Sequence, residues 1–539
     1  MTAIEAALAR LRAAEPPAAA GPLGDGLRAA GVGFAAVGGP LEARWRQAIA
    51  ELAACIRPVG AHADPILCEG GVYPGAWIES TGTINAELLD RFAPEVTRAT
   101  HLRFAALQRA DGMIPYKVTD DGPGFGQIQI VTPLARSVWN HYLLAGRDRA
   151  YLSTMYEAMA RFDDWLARHR DTRGTGGVEA FCTFDTGHDL SPRFWFVPDR
   201  CPGGDATRYD PASPVLPYVA PDLTANVACQ RAYLARIAEE LGLDPEPWRR
   251  KAEASLAALW EQCFHEQDGA FYDRDATGEP VRVLSDVLLR VLACEVGDDA
   301  FFRAALERHL MSTRRFLAHY GFTSLAMDDP RFDHDHTRNS WGGPVNFLSL
   351  IRAPHAFERH GRVAELALAT APVLAAVATA DRFPQCLDPW TGAPGYTEAY
   401  SPSILWLLDA VERGFGVLPR PDGELWLTGL APTRLDHGAA AEAVASSREV
   451  DGARYELAAD DEHAVVLRDG AEWISFPRGW RVIADRAGDP VAVVNVAATP
   501  VAGELRTPAG SIPLALAPNE RVELATGRSE RPGFTAPRS

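Results

Sequence analysis

Hydrophobic residues recur at intervals of three and four along most of the first four hundred residues. Between residues 147 and 170, six apolar side chains keep this spacing and form one helical stripe: Leu152, Met155, Tyr156, Met159, Phe162 and Leu166. Similar patterns predict helices over residues 41–56, 93–108, 130–145, 223–241, 282–296, 298–318, 344–360, 362–378 and 399–414, and another that begins at Asp244.

Long loops follow alternate pairs of these helices. Sequential helical hairpins can bury their inner faces by closing into a ring, and the loops then gather at one mouth of that ring. The pattern therefore predicts a mainly α-helical domain over residues 41–418, an (α/α)6 toroid of six helical hairpins. An open α-solenoid is the alternative arrangement of the same hairpins.

The hydrophobic period changes to two after about residue 420. Short runs such as ARYELAA, HAVVLRD and PVAVVNV alternate apolar with polar residues and are separated by turn residues. This pattern predicts an antiparallel β-sandwich domain over residues 419–530. Residues 1–40, with the Ala/Pro/Gly-rich run EPPAAAGPLGDG, are predicted to be a loosely packed lead-in, and residues 531–539 a frayed tail.

The composition narrows the classes of partner. The formal net charge of −18 argues against a nucleic acid, because phosphate binding needs clustered Lys and Arg. No apolar run reaches the length of about 18 residues that a membrane span requires, and the first 22 residues lack a signal-peptide pattern. The eight cysteines form no CxxC pair, so reduced thiols in a cytoplasmic protein are expected. A homo-oligomer is compatible with this composition.

Candidate chemistry concentrates in the loops. The segment FCTFDTGHDLSPRFW (181–195) combines carboxyl groups, a histidine and an arginine with aromatic rings, and its Gly and Pro residues argue against a continuous helix. Such a mixture suits a sugar site, where carboxyl groups bind or protonate oxygens and aromatic rings stack on the sugar. Three further loops offer similar residues: Tyr73, Trp77 and Glu79; Arg338, Asn339, Trp341 and Asn346; and Gln385, Asp388, Trp390, Glu398 and Tyr400.

Cleavage of a glycosidic bond needs residues of these types. One carboxylic acid with a raised pKa protonates the leaving oxygen, and a second carboxylate activates water or attacks the anomeric carbon. If the four loops meet at one mouth of the ring, the sequence supplies both groups.

The order of these motifs resembles the glycoside hydrolase clan of (α/α)6 barrels that includes family 63, with its processing α-glucosidases and mannosylglycerate hydrolases, and the family 37 trehalases. DTGHDLSPRF (185–194) is similar to the general-acid motif ESGxDxSPRW, and NSWGGPVN (339–346) to the segment YWRGPVW. Further similarities are LWEQCFHEQDGAFYD (259–273) to LWDEExGFYYD, DLTAN (222–226) to a DLNA helix start, and WIES (77–80) to the Trp-Asp-Ser of family 37. The resemblance spans about residues 70–415.

The resemblance implies an inverting α-glycosidase that acts on a small oligosaccharide or glycoside without a metal or cofactor, and the closed funnel predicts that it is exo-acting. It implies Asp189 as the general acid. The loops and the resemblance together give these candidates for substrate binding: Trp77, Glu79, Gln127, Asp185, His188, Arg193, Trp341, Asn346, Gln385, Trp390 and Tyr400. For Asp185 the alternative is an ion pair with Arg193 that only shapes the loop.

One position departs from the pattern of these families. Their general base is a Glu in a segment like FxExYxPxTG, whereas FPQCLDPWTG (383–392) has Gln385 in its place. An amide cannot take a proton from water, so we expect Glu398 to be the general base, with Asp388 as the second candidate. The carboxyl groups of an inverting pair lie about 6.5–9.5 Å apart.

Two other functions are alternatives. A polysaccharide lyase on the same toroid would use a Tyr/His pair such as Tyr400 and His188, although the acid-rich loops disfavour a uronate substrate. A catalytically inactive carbohydrate-binding homologue would account for Gln385. The run DHDH (333–336) is more typical of a solvated loop than of a metal site.

Overall fold

Most helices occupy the chain where the three-to-four repeat of hydrophobic residues predicts them, and two short helices, at 21–29 and 84–89, lie where no helix is predicted. The computed structural model describes residues 2–15, 19–431 and 440–539. Residues 1 and 16–18 of the predicted lead-in and 432–439 of the predicted sandwich lie outside this description. The α-helices are α1 (Ala3–Ala13), α2 (Gly21–Ala29), α3 (Leu41–Cys55), α4 (Ile84–Leu89), α5 (Pro94–Ala106), α6 (Leu134–Leu144), α7 (Arg149–His169), α8 (Pro221–Leu241), α9 (Glu246–Ala258), α10 (Val287–Ala293), α11 (Asp299–Ala305), α12 (Phe347–Leu350), α13 (Ala353–Arg359), α14 (Val363–Thr379) and α15 (Ser401–Phe415).

The two longest helices follow directly from local sequence. Asp148 begins α7 by accepting hydrogen bonds from the backbone N–H groups of Ala150 and Tyr151 at 2.9 and 3.1 Å. The stripe predicted on α7 is buried except for Tyr156, which is partly buried. Helix α8 ends at Gly242, whose φ of +77° favours glycine.

The last helices of the array pack against the first. Helix α15 contacts α3 and α4, and α14 also contacts α3. Between these ends, α4 packs on α5, α6 and α7 pack on α8, and α8 packs on α9 and α10. The helical array therefore meets itself at its two ends.

Two antiparallel sheets hold most of the remaining strands. The strand order of the seven-stranded sheet is Gly33–Val37, Ala443–Val450, Ala453–Ala459, His463–Arg468, Ala471–Pro477, Val501–Thr507 and Gly510–Leu516. That of the six-stranded sheet is Val417–Pro419, Leu425–Thr428, Trp480–Ala484, Pro490–Asn495, Arg521–Glu523 and Ser529–Glu530. The period of two after residue 420 thus predicts strands correctly.

Both ends of the chain are more closely integrated than the sequence predicts. Strand Gly33–Val37 pairs with Ala443–Val450, from Gly33 opposite Ser447 to Val37 opposite Ala443, and α1 packs against both strands. At the other end, the backbone N–H of Thr535 donates to Glu365 at 2.8 Å. The predictions of a loose lead-in and a frayed tail are therefore wrong for the described residues, because each end closes hydrogen bonds with a distant segment.

Short antiparallel ladders brace the loops between helices. They are Gly75–Trp77, Lys117–Thr119 and Gly122–Gly124; Glu179–Ala180, Tyr218–Val219, Asp273–Arg274 and Pro280–Val281; Val345–Asn346 and Cys386–Leu387; Ile56–Arg57 and Ile66–Leu67; Phe264–His265 and Ala270–Phe271; and Leu317–Ala318 and Gly321–Phe322. The first ladder sets Trp77 opposite Lys117. Of the helices in the described ranges, none is both long enough and apolar enough to cross a membrane.

Candidate active site

A cavity of about 200 Å³ lies where the loops with the predicted motifs meet. Eight candidate residues of the predicted loops line it: Tyr73, Trp77, Glu79, Gln127, Asp189, Asn339, Gln385 and Tyr400. Its other lining residues are Glu69, Tyr116, Lys117, Gln129, Phe184, Gly187 and Arg200. Loops from distant parts of the chain thus converge on one pocket.

Asp185 anchors the loop that carries Asp189. Its buried carboxylate accepts hydrogen bonds from the backbone N–H groups of Phe181 at 2.7 Å and Ile128 at 2.9 Å. It also pairs with the buried Arg170 at 2.5 and 3.1 Å. Asp185 does not line the cavity, so its predicted contact with substrate is not supported, and its role is to shape the loop.

Arg193 is the centre of a buried ion-pair network behind this loop. Its guanidinium donates to Asp273 at 2.7 and 2.8 Å, to Asp222 at 2.9 and 3.0 Å, and to His188 Nδ1 at 2.8 Å. These contacts use all five N–H groups of the guanidinium. Arg193 therefore has no donor left for a sugar, which contradicts its predicted role in substrate binding.

His188 extends the network to Asp286. Its Nε2 lies 3.0 Å from Asp286 Oδ1. Burial, followed by the charge of Arg290, lowers the pKa of His188 to about 3. The imidazole is therefore neutral, and since Arg193 donates to Nδ1, its proton is on Nε2. His188 lies outside the cavity lining, so neither predicted role, sugar contact or lyase base, is supported.

Asp189 faces the cavity from this loop. Burial raises its pKa to about 8, with further contributions from the carboxyl groups of Glu79 and Asp199. The amide of Asn339 donates to Asp189 Oδ2 at 2.5 Å. A carboxyl group with this pKa keeps its proton at neutral pH, as a general acid must.

Glu79 lies on the same side of the cavity as Asp189. Its Oε2 accepts a hydrogen bond from Gln129 at 2.7 Å and lies close to Gly187, where an added Cβ would be 2.1 Å from that oxygen. Burial raises the pKa of Glu79, and the charge of Arg352 opposes this rise. Gly187, with a φ of +65°, thus makes room for a second carboxyl group beside the acid.

A chain of hydrogen bonds crosses the cavity from Tyr73 to Asp189. The Tyr73 hydroxyl donates to Gln385 Oε1 at 2.6 Å, and Gln385 Nε2 donates to Asn339 Oδ1 at 2.9 Å. Asn339 then donates to Asp189. One amide bridges the two end groups, so Gln385 Nε2 and Asp189 Oδ2 are at most about 8 Å apart, below the ~9.5 Å upper limit of inverting pairs. The side chain that Asn339 links to Asp189 is therefore an amide.

Comparison with known families decides the class of protein. The model of the mannosylglycerate hydrolase MGH1-like glycoside hydrolase domain matches residues 73–403, which is more than half of the 539 residues. The chain belongs to this glycoside hydrolase family. The predicted relation to mannosylglycerate hydrolases is confirmed, as is the assignment as a glycoside hydrolase. No curated protein matches the sequence.

Solved glycosidases share the fold of this glycoside hydrolase. A GH63 mannosylglycerate hydrolase from Thermus thermophilus is 21% identical with a TM-score of 0.56, and the match covers 67% of this chain and 98% of that one. A neutral trehalase from Saccharomyces cerevisiae is 14% identical with a TM-score of 0.51, and the match covers 65% of this chain and 73% of the trehalase. A GH78 family rhamnosidase of Bacillus sp. GL1 is 11% identical with a TM-score of 0.51, and the match covers 79% of this chain and 40% of the rhamnosidase. At these identities the likeness concerns the fold.

The glycoside hydrolase does not bring the two predicted bases to its cavity. The Glu398 side chain is exposed and lies outside the lining. Asp388 accepts hydrogen bonds from the backbone N–H groups of Trp390 and Thr391 at 2.9 and 2.8 Å and pairs with His334 at 2.8 Å, so it stabilises a turn. Trp390 is 47% exposed and also lies outside the lining. The predicted roles of these three residues are therefore not supported.

Trp341 and Asn346 lie behind the cavity wall. Trp341 is buried, and the guanidinium carbon of Arg290 lies 4.5 Å from its ring centre. Asn346 is also buried and begins α12 by accepting a hydrogen bond from the backbone N–H of Leu348 at 2.9 Å. Both residues support the wall and do not line the cavity, in contrast to the prediction.

Glu69 is the carboxyl group of the cavity that the sequence analysis misses. Burial raises its pKa to about 8, although hydrogen bonds from the hydroxyls of Ser80 and Tyr400 favour its ionised form. The signal for it is the following pair, Gly70 and Gly71, whose φ values of +87° and +58° and close contact with the backbone of residues 398–399 require glycine. These glycines let the loop that carries Glu69 reach the cavity.

Two cationic side chains of the cavity also escape the sequence analysis. Lys117 Nζ lies 5.7 Å from the ring centre of Trp77. The guanidinium carbon of Arg200 lies 5.8 Å from the ring centre of Phe184. Neither forms an ion pair with any residue that the structure describes. Both charges are therefore available to an anionic group in the cavity.

One cluster in the described ranges has the ligand atoms that a metal ion would need, Cys182, Asp185 and Cys201. Asp185 already pairs with the buried guanidinium of Arg170, and Cys201 Sγ lies 4.0 Å from the same group. A positive charge thus occupies the region where a cation would bind, so these residues do not fit a metal ion.

Proposed function

We propose that this glycoside hydrolase is an exo-acting, inverting α-glycosidase that removes one sugar from a small glycoside with an anionic aglycone. The observation that carries the proposal is Asp189, a carboxyl group that lines the cavity and whose burial raises its pKa to about 8. Inversion further requires room for a water molecule on the far side of the sugar ring from this acid.

Ring closure and the size of the cavity support exo action. Contact of α15 with α3 is expected of a closed (α/α)6 toroid and not of an open solenoid. We take the two large sheets to form the β-sandwich beside it. A cavity of about 200 Å³ is smaller than the ~300–1,000 Å³ typical of sites for drug-sized ligands. It suits one terminal sugar better than the middle of a long chain.

The proposed mechanism uses the cavity residues in separate roles. Asp189 protonates the glycosidic oxygen as its bond to the anomeric carbon breaks. Glu79 and Gln127 are placed to bind sugar hydroxyls. Trp77, which meets Tyr73 edge-on with 5.4 Å between ring centres, offers a face for stacking.

Lys117 and Arg200 support an anionic aglycone. Both line the cavity without a carboxylate partner among the residues that the structure describes. A Thermus thermophilus mannosylglycerate hydrolase that shares the fold was solved with D-glycerate, a carboxylate. An α-mannoside or α-glucoside of a hydroxy acid such as glycerate would place its carboxylate near these two cations.

The test compares acidic with neutral substrates. Purified protein would be incubated with α-mannosides and α-glucosides of glycerate and of glycerol, and with trehalose, while NMR follows the product anomers. We expect the β-anomer first and a preference for the glycerate glycosides. Lys117→Gln and Arg200→Gln should raise KM on the order of tenfold for glycerate glycosides alone, the loss expected for one charged contact. Release of the α-anomer first, or equal use of both aglycones, would contradict the proposal.

Gln385 favours one second candidate, a catalytically inactive carbohydrate-binding homologue. Calorimetry that detects sugar binding, together with no turnover on the whole panel, would support this candidate. No described contact favours the lyase alternative, which would release an unsaturated product that absorbs in the ultraviolet.

A further inference from the structure

The amide of Gln385 lines the cavity at a position where the chain departs from the pattern of the related families. We infer that Gln385 is a positioning residue for the general acid: through Asn339 it keeps one oxygen of Asp189 as a hydrogen-bond acceptor, so that the proton of the acid lies on the other oxygen. The inference rests on the proposed function and adds to it a role for this amide.

The hydrogen bonds that cross the cavity run in one direction. The Tyr73 hydroxyl donates to Gln385 Oε1 at 2.6 Å. Burial raises the pKa of Tyr73, so this hydroxyl keeps its proton and can begin the chain. Gln385 Nε2 donates to Asn339 Oδ1 at 2.9 Å, and Asn339 Nδ2 donates to Asp189 Oδ2 at 2.5 Å. Gln385 thus accepts at one end and donates at the other, as only an amide side chain of this length can do.

The two carboxyl oxygens of Asp189 are therefore not equivalent. Oδ2 accepts the amide of Asn339, whereas no other side chain in the described ranges hydrogen-bonds Oδ1. A protonated carboxyl group has one oxygen that carries the proton and one that accepts. Because an oxygen that faces an N–H group cannot direct its own proton there, the proton lies on Oδ1, which is left for the glycosidic oxygen.

The backbone fixes the loops that carry these side chains. The N–H of Trp341 donates to the carbonyl of Asp189 at 2.9 Å, so the loop of Asn339 is tied to the loop of the acid. The N–H of Phe347 donates to the carbonyl of Gln385 at 3.0 Å. With both loops held, rotation of the amides is the simplest way to change the direction of the chain.

A carboxylate at position 385 would reverse the last two hydrogen bonds. It has no donor, so one of its oxygens would face Asn339 Oδ1 near the present separation of 2.9 Å. The Asn339 amide would rotate to donate to this carboxylate, and its Oδ1 would then face Asp189 Oδ2. Asp189 would donate its proton to that oxygen and direct it away from the sugar.

Two kinds of substrate separate the proton transfer from the rest of the reaction. With an alkyl glycoside, the Oδ1–H bond of Asp189 breaks and the proton passes to the aglycone oxygen as its bond to the anomeric carbon breaks. A water oxygen bonds to that carbon, its proton passes to solvent, and solvent returns a proton to Asp189. A glycosyl fluoride releases fluoride, which needs no proton. The ratio of kcat/KM for the alkyl glycoside to that for the fluoride therefore reports on the acid alone.

Variants of the chain should change this ratio. Gln385→Glu should lower it on the order of tenfold, because one hydrogen bond then holds the proton on the wrong oxygen. Activity on the fluoride shows that the variant is folded, and a base restored by the new carboxylate would raise both rates alike. The matched control is Gln127→Met, compared with Gln385→Met. The first should change KM for both substrates and leave the ratio unchanged, whereas the second should lower the ratio.

Asn339→Ala tests the link between Gln385 and the acid. Loss of a donor to the ionised form raises the pKa of Asp189, so the alkaline limb of the alkyl glycoside profile should move up by about 0.5–1 pH unit. The ratio should also fall, and the double variant with Gln385→Met should fall no further than Asn339→Ala alone, because the two residues act through one path.

The other outcomes overturn the inference. An unchanged ratio in Gln385→Glu would do so and leave the proposed function standing, since both substrates would still be cleaved. Losses that multiply in the double variant would show that Gln385 acts without Asn339. An alkaline limb that does not move in Asn339→Ala would show that this amide does not bear on the proton of the acid. A wild-type protein that cleaves neither substrate would overturn the proposed function, and the inference with it.

Discussion

Asp189→Asn tests the proposed general acid most directly. Asparagine is close to aspartate in shape and can keep the contact with Asn339, so the cavity should change little. What it removes is the proton that the aglycone oxygen must receive.

The size of the expected effect follows from the burial of Asp189. With a pKa of about 8, its carboxyl group is about 90% protonated at pH 7. At the ordinary value of 3.8 less than about 0.1% would be protonated, so burial makes the acid available. We expect kcat/KM for an alkyl glycoside to fall about 10²- to 10⁴-fold in the variant. A glycosyl fluoride, whose leaving group needs no proton, should lose far less.

The assay measures kcat/KM from pH 5 to pH 10 with both kinds of substrate. The wild type should lose activity on the alkyl glycoside as the pH rises past about 8, since the Asp189 pKa is about 8, and the variant should lack this alkaline limb. Equal losses on the two substrates would refute the role of Asp189 as proton donor. So would a variant that keeps full turnover of the alkyl glycoside.

Three further predictions concern stability and the shape of the site. Burial raises the pKa of Glu69 from 4.5 to about 8, so its ionisation destabilises the fold as the pH rises through this window. The free energy of unfolding of Glu69→Gln should therefore exceed that of the wild type by an amount that grows from pH 4.5 to 8, by up to about 5 kcal/mol. A difference that does not depend on pH would contradict this. Arg193→Met should cost about 3–5 kcal/mol in urea unfolding, because it leaves two buried aspartates without their partner; an unchanged midpoint would count against the network. Gly187→Ala should lose about 1–3 kcal/mol and raise KM, because φ is +65° and the new Cβ meets Glu79. The control Gly203→Ala has a φ of +63° and no atom within 4 Å, so it carries the backbone strain alone and should leave KM unchanged.

The helices and strands were predictable because their signals are local. The stripe on α7, the Asp148 cap and the glycine after α8 each act within a few residues. The pairing of Gly33–Val37 with Ala443–Val450 was not predictable, because a five-residue apolar run does not specify which strand, about four hundred residues away, it pairs with. The sequence therefore predicts elements better than it predicts which distant elements meet.

The sequence likewise predicts which residues belong to the site better than it predicts which of them line the cavity. The motif DTGHDLSPRF supplies two aspartates, a histidine and an arginine, yet only Asp189 among them lines the cavity. Asp185 and Arg193 are as distinctive in the sequence, but they form buried ion pairs. Asp185 pairs with Arg170, and Arg193 pairs with Asp222 and Asp273. A motif records residues that must be present, and side chains that hold a catalytic loop are as necessary as those that touch substrate.

Burial sets the protonation of the carboxyl groups in this small cavity. Mutual repulsion and burial prevent Glu69, Glu79 and Asp189 from all ionising together near neutral pH. The hydroxyls of Ser80 and Tyr400 donate to Glu69 and the amide of Asn339 donates to Asp189, yet burial still raises the pKa of both carboxyl groups to about 8. Glu69 and Asp189 therefore both keep their protons near neutral pH, so the cavity is richer in proton donors than in proton acceptors.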